Sequence, residues 1–181
     1  MPSISISQIT DFLWRPPRKE PGVKSRPLDQ RDPANAQYYS NWGFTVYRTY
    51  YGTESDKHWE ALIDAMTRQT HLALGYHETE KIYQEDQRKK WGFYADKSEY
   101  VDDIRRLKKL FRLKVREDSS VLDGLGIPRI RELCRKELPE ARKDIEGAKA
   151  CFVFVADESV LNDIARGVFV VKVVGYDWDE D

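Results

Sequence analysis

The stretch NWGFTVYRTYYG, residues 41–52, decides the fold because it predicts the first strand of a sheet. Its aromatic and β-branched residues favour extended backbone, and its side chains alternate between two faces from Trp42 onward. One face carries Trp42, Phe44, Val46, Arg48 and Tyr50, and the other carries Gly43, Thr45, Tyr47, Thr49 and Tyr51. The first face is suited to packing on helices. The threonine and tyrosine row is more polar than a core requires, so it is where we expect binding.

Three further strands and several helices are predicted beyond this stretch. The segments LFRLKVRE at 110–117, CFVFVA at 151–156 and VFVVKVV at 168–174 have strand patterns. Apolar residues at helical spacing follow Thr53 and Asp56, whose spacing resembles a capping box, and others follow Ser98 and Pro128. Asp157 is in position to cap one more short helix. The chain therefore alternates strands with helices.

This element order predicts an α+β fold, a ferredoxin-like sandwich with a four-stranded antiparallel sheet and extra helices inserted between strands. The first and third strands would be central and the other two would be edges. The Pro-rich residues 1–40 predict a partly irregular arm. Residues 41–176 would form a single domain with a helical insertion at about 70–109, followed by an acidic tail at 177–181.

Composition limits the function classes. Thirty basic and thirty-one acidic residues among 181 give a formal charge of −1, which argues against a general affinity for nucleic acid or anionic membranes. No apolar run approaches the ~20 residues of a membrane span, and the first residues lack a signal sequence, so we expect a cytoplasmic or otherwise intracellular protein. Two cysteines and three histidines without ligand spacing predict neither metal nor cofactor.

Several segments resemble a widespread family of uncharacterised filamentous-fungal proteins. They are WGFTVYRTYY, VREDSSVLDG, CFVFVADESVL and VVKVVGYDW, within a region from about Trp42 to Trp178. The resemblance implies a fungal, intracellular origin and the same element order. The family has no established activity, so it implies no catalytic residue.

The main functional hypothesis is a binding or protein-interaction module, including a homodimer formed through the sheet face. Tyrosine offers a large contact area with a hydrogen-bonding tip, which supports this use of the sheet. The predicted binding residues are Thr45, Tyr47, Thr49, Tyr51, Arg112, Lys114 and Arg116. The three basic residues alternate with apolar ones along the predicted second strand, which is typical of a protected edge.

Two alternatives belong to other classes. A cofactor-independent enzyme acting on a small molecule would use a cavity between sheet and helices, with Tyr47 orienting the substrate, Arg48 stabilising an anion and His58 transferring a proton. An RNA-binding sheet platform would use the aromatic first and third strands, although the glycine typical of that platform's third strand is missing. A closed pocket that contains two of the three enzyme residues would favour catalysis, and an open surface would favour the module.

Overall fold

The structure is a computed structural model that describes residues 6–17, 27–76, 97–137 and 152–176. Residues 77–96 of the predicted helical insertion and the predicted acidic tail at 177–181 lie outside these residues. The chain divides into two compact units, one made of residues 1–42 and 73–111 and the other of 43–72 and 112–181. Each unit therefore combines two separate stretches of sequence.

The described helices and strands follow the predicted order. The helices are α1 (Ile6–Leu13), a 3-10 helix (Pro33–Tyr38), α2 (Ser55–Tyr76), α3 (Lys97–Leu110), α4 (Ser119–Leu122), α5 (Ile127–Glu137) and α6 (Glu158–Ala165). The strands are β1 (Thr45–Arg48), β2 (Lys114–Arg116), β3 (Phe152–Ala156) and β4 (Lys172–Gly175). Asp157 caps α6 as predicted, since its side chain accepts from the Val160 N–H. The α2 helix begins at Ser55, two residues after the predicted cap at Thr53.

The four strands form one mixed sheet in the order β2-β1-β3-β4. β1 is parallel to both β2 and β3, while β3 and β4 are antiparallel. The expected central position of β1 and β3 is confirmed, but the predicted antiparallel ferredoxin-like sheet is wrong. That sheet requires β2 and β3 to be joined by a direct hairpin, whereas this chain places α4 and α5 between them. A connection of this length crosses over the sheet and favours parallel strands.

Helices cover both faces of the sheet. On one face, Val46 of β1 packs with Trp59 and Leu62 of α2 and with Leu161 of α6. On the opposite face, Tyr47 packs in a cluster with α4 and α5 that also includes Val153 of β3 and Val174 of β4. The alternation of β1 therefore supplies two cores, one above the sheet and one below it.

The other unit has an apolar core of its own. Leu13 of α1, Leu107 of α3 and Tyr39 form its buried centre. Trp42 stacks edge-on against Phe111 with ring centroids 5.0 Å apart, and its Nε1 donates to the Leu107 carbonyl at 2.7 Å. The amphipathic helix predicted from Ser98 is thus confirmed as α3, with its apolar stripe turned toward this core.

Candidate binding groove

Arg48, the last residue of β1, has a buried side chain with several polar and aromatic partners. Only 4% of its surface is exposed. Its Nε donates to the Tyr50 carbonyl at 3.0 Å, and one terminal nitrogen donates to Ser55 Oγ at 2.8 Å and to Asp56 at 2.5 Å. The guanidinium carbon also lies 4.4 Å from the centre of the Tyr51 ring. The guanidinium is therefore fixed by neutral acceptors and by an aromatic face as well as by a carboxylate.

A tight turn brings these partners to the end of β1. Ser55 donates both from its backbone N–H and from Oγ to the Gly52 carbonyl, at 3.1 and 2.6 Å. A Cβ at Gly52 would lie 2.1 Å from the Tyr50 hydroxyl, so any other residue here would force the Tyr50 ring to move. The turn leads directly into α2, whose first residues Ser55 and Asp56 reach Arg48.

An open groove of ≈ 740 Å³ begins at this arginine. It lies between one side of α2 and the edge strand β2. Its lining residues are Arg48, Asp56, Trp59, Glu60, Ile63, Asp64, Thr67, Val115 and Glu117. The six α2 residues recur at helical spacing and span eleven positions, so the groove follows the helix for about 16 Å at 1.5 Å per residue.

The groove is predominantly acidic. Four of its lining residues are carboxylates and only Arg48 is basic. Asp56, Glu60 and Asp64 stand one helical turn apart, a spacing at which like charges weaken a helix by about 0.2–0.5 kcal/mol per pair. Arg48 pairs with Asp56 and Arg68 lies 3.9 Å from Asp64, whereas Glu60 makes no ion pair with any residue that the structure describes. Uncompensated negative charge therefore remains on the α2 side of the groove, at Glu60.

Glu117 lines the side of the groove opposite α2, and a hydrogen bond from Trp59 fixes its side chain. It follows β2 directly, and its Oε2 accepts a hydrogen bond of 2.6 Å from the Trp59 indole Nε1. This bond ties the buried Trp59 side chain of α2 to the residue after β2. Ile63 and Val115 add apolar lining. The groove therefore combines a fixed aromatic and aliphatic floor with exposed carboxylates.

The predicted threonine and tyrosine row does not form an open face. Tyr47 is 0% exposed and Thr49 is 4% exposed, while Thr45 and Tyr51 are half-buried. Burial raises the pKa of Tyr47, whose hydroxyl lies near Cys134 of α5 and Arg116 of β2. The α4 and α5 helices cover this side of the sheet. Of the four residues, Tyr51 is the one beside the groove, because its ring stacks on Arg48.

The three predicted basic residues of the second strand lie outside the groove lining. Arg112 precedes β2, and Lys114 is exposed at its start. Arg116 is ion-paired with Glu137 at the end of α5, and the hydrogen bond from this pair is the main reason that the pKa of Arg116 is raised.

The residues proposed for catalysis are not brought together. Tyr47 faces the α5 core, while Arg48 points to the opposite face of the sheet and lines the groove. His58 lies on α2, half-buried and outside the groove lining. The groove is open and contains one of the three residues, so the condition set for an enzyme is not met there. Within the described residues, no group of three or more potential metal ligands occurs.

Sequence reasoning missed the residues that give the groove its charge. Asp56, Glu60 and Asp64 repeat every four residues, and this spacing was visible in the sequence. The pairing of Trp59 with Glu117 was not visible, because 58 positions separate the two residues. It depends on β2 lying beside β1, a neighbour relation that the ferredoxin-like arrangement did not include.

Comparisons with protein-family models, curated proteins and solved structures gave no match to this chain. The resemblance to the fungal family therefore stays a prediction. Of the helices that the structure describes, none has the length and apolar character needed to cross a bilayer.

Proposed function

We propose that this chain is a protein-interaction module that binds an extended, positively charged segment of a partner protein in the groove. The supporting observation is the row of carboxylates above a fixed apolar floor. Asp56, Glu60 and Asp64 follow one another along α2, and Glu117 stands across from them. A ligand with lysine or arginine side chains would offset the repulsion between these charges.

The dimensions of the groove favour a peptide. A length of about 16 Å accommodates roughly five residues in extended conformation at ~3.3 Å each. The aliphatic stems of lysine and arginine would contact Ile63 and Val115 while their charged ends reach the carboxylates. The open shape also suits a chain that enters and leaves at the two ends.

The buried Arg48 makes the two ends of the groove differ in charge. It pairs with Asp56 at one end, so that end is partly neutralised, while Glu60 keeps its charge. A basic segment is therefore expected to place its highest positive charge between Glu60 and Glu117. Because the remaining carboxylates are exposed, this attraction is expected to weaken with salt.

Binding of a fluorescent seven-residue peptide of alternating lysine and alanine, followed by anisotropy, tests this proposal. The double variant Glu60→Gln with Asp64→Asn should weaken binding about three- to tenfold, since exposed ion pairs contribute about 0.2–1 kcal/mol each. Raising the salt from low to physiological concentration should weaken the wild type more than the variant.

The matched control is the double variant Asp123→Asn with Glu132→Gln. It removes the same number of charges from exposed positions of the same unit that do not line the groove. Binding should stay within twofold of the wild type. An equal loss in both double variants would show that net charge, rather than the groove, attracts the peptide, and the proposal would fail.

A further inference from the structure

The sheet ends at an edge that is unusually apolar. β4 is the last strand in the order β2-β1-β3-β4, and among the described residues it pairs only with β3. Within β4, Val173 is 60% exposed, and in the segment that leads into the strand Val168 (49%), Phe169 (47%) and Val170 (44%) are nearly half exposed. An uncovered apolar edge of this kind is a template for another strand.

The usual protection of an edge is missing here. Natural edge strands carry charged side chains, above all lysine, to prevent pairing. The run VFVVKVV, residues 168–174, contains one charge, at Lys172. That ammonium is ion-paired with Asp157 at the start of α6, so it does not stand free at the edge. A second strand could therefore approach without an uncompensated charge.

We propose that residues 168–174 pair antiparallel with the same residues of a second copy of this chain, joining two sheets into one. The segment can pair with a second copy of itself because it is apolar and its one charge, at Lys172, is neutralised by Asp157 of the same chain. The formal charge of −1 per chain adds little repulsion between the copies. This interface does not involve the groove, so it is independent of the proposed function.

The register follows from symmetry and charge. In a two-fold antiparallel pair, directly opposite residues lie on the same face, so the axis passes through a residue such as 171, 172 or 173. An axis at Lys172 would place two like charges opposite each other. An axis at Val173 would set Val168 and Phe169 opposite residues 178 and 177, outside the apolar segment, so these two exposed side chains would gain no partner within it. The axis at Val171 remains, and it sets Phe169 opposite Val173 of the second copy.

The size of the patch predicts a reversible dimer. Stable interfaces bury roughly 800 Å² and use about 20–30 residues per partner, whereas residues 168–174 form a short segment. We therefore expect dissociation on dilution.

Sedimentation velocity over a wide concentration range tests the pairing. The wild type should shift from monomer to dimer, and Val173→Lys should raise the dissociation constant at least tenfold, because the new charge would be set against Phe169 of the second copy. Val121→Lys is the matched control, since Val121 is 52% exposed on α4, away from the edge, and should dimerise as the wild type does.

Oxidative cross-linking tests the register. The double variant Phe169→Cys with Val173→Cys should give a reducible dimer, whereas each single variant, like the wild type, should not, because its two new thiols would lie several residues apart. A wild type that is monomeric at every concentration would overturn the proposal and leave the strand of a different protein as the occupant of this edge. A dimer that persists unchanged in Val173→Lys would overturn it as well.

Discussion

Arg48 is a buried cation, whereas its carboxylate partner, Asp56, is exposed to solvent. The side chain of Asp56 is 87% exposed, while that of Arg48 is 5% exposed. Removing the carboxylate should therefore matter less than removing the guanidinium. Arg48→Met should lower the free energy of unfolding by about 2–4 kcal/mol, through lost hydrogen bonds to Tyr50 and Ser55 and lost stacking on Tyr51.

Asp56→Asn provides the comparison for this prediction. It should cost about 1 kcal/mol or less, because it removes an exposed ion pair and one acid from the first turn of α2. Urea unfolding of both variants at neutral pH measures the difference. Equal losses would mean that the ion pair itself fixes Arg48, contrary to the geometry.

Residue type alone did not reveal that helices cover both faces of β1. The alternation of Thr45, Tyr47, Thr49 and Tyr51 against Val46 was correctly predicted, since period-two patterning is local. What covers each face is decided by α2 and α5, which come from distant parts of the sequence. The Thr49 hydroxyl is buried and has no hydrogen-bond partner among the described residues, so the polarity of this row was a poor guide to exposure.

At the level of elements, Asp157 connects α6 to β4. Its carboxylate accepts from the Val160 N–H at 3.1 Å and from Ser159 Oγ at 3.0 Å, and it is ion-paired with Lys172. Burial by itself would raise the pKa of Asp157, but the hydrogen bond from Lys172, with those from Val160 and Ser159, leaves the pKa lowered. The folded state thus favours the charged form.

A defined pH dependence follows for Asp157. Because its pKa is lower in the folded state, its contribution to stability is present above the unfolded value of about 3.9 and is lost as the pH falls through the folded pKa. Asp157→Asn keeps a capping oxygen but removes the charge, so it should cost about 0.5–1 kcal/mol at pH 7 and progressively less below pH 4. Unfolding by urea at pH 7, 5 and 3.5 measures this convergence.

The equivalent change at Asp118, which caps α4 through the Ser120 N–H and Oγ, is the control. Asp118→Asn should have a smaller effect at pH 7, since no lysine pairs with Asp118 among the described residues. A penalty for Asp157→Asn that stays constant down to pH 3.5 would contradict the assigned role of its charge.

The strands and helices themselves were largely predictable, and their pairing was not. Alternation located β1 and β3, and helical spacing located α3 and α5, because both signals depend on near neighbours in sequence. The direction of pairing depends on the connections. The helices between β2 and β3 already argued against a hairpin, and this was the signal that should have excluded the ferredoxin-like sheet.

At the scale of the whole molecule, the two units each combine distant stretches of sequence and, among the described residues, do not share an apolar core. Leu107 of α3 is 1% exposed in one unit, and Ile130 of α5 is 0% exposed in the other. Because each residue packs only in its own cluster, we expect each unit to open separately. Truncation of either side chain to alanine should destabilise its own unit by about 2–5 kcal/mol.

Hydrogen exchange read by peptide mass spectrometry distinguishes the two units in a single experiment. Leu107→Ala should accelerate exchange in α1 and α3 and leave β3 at its wild-type rate, while Ile130→Ala should do the reverse. The two variants control for each other, since both remove apolar volume from a fully buried helical position. If either substitution accelerates exchange in both sets of elements, the units unfold as one body and the separate cores do not correspond to separate stabilities. Selective acceleration would in addition mean that groove binding survives Leu107→Ala, because every residue lining the groove belongs to the unit that Leu107 does not stabilise.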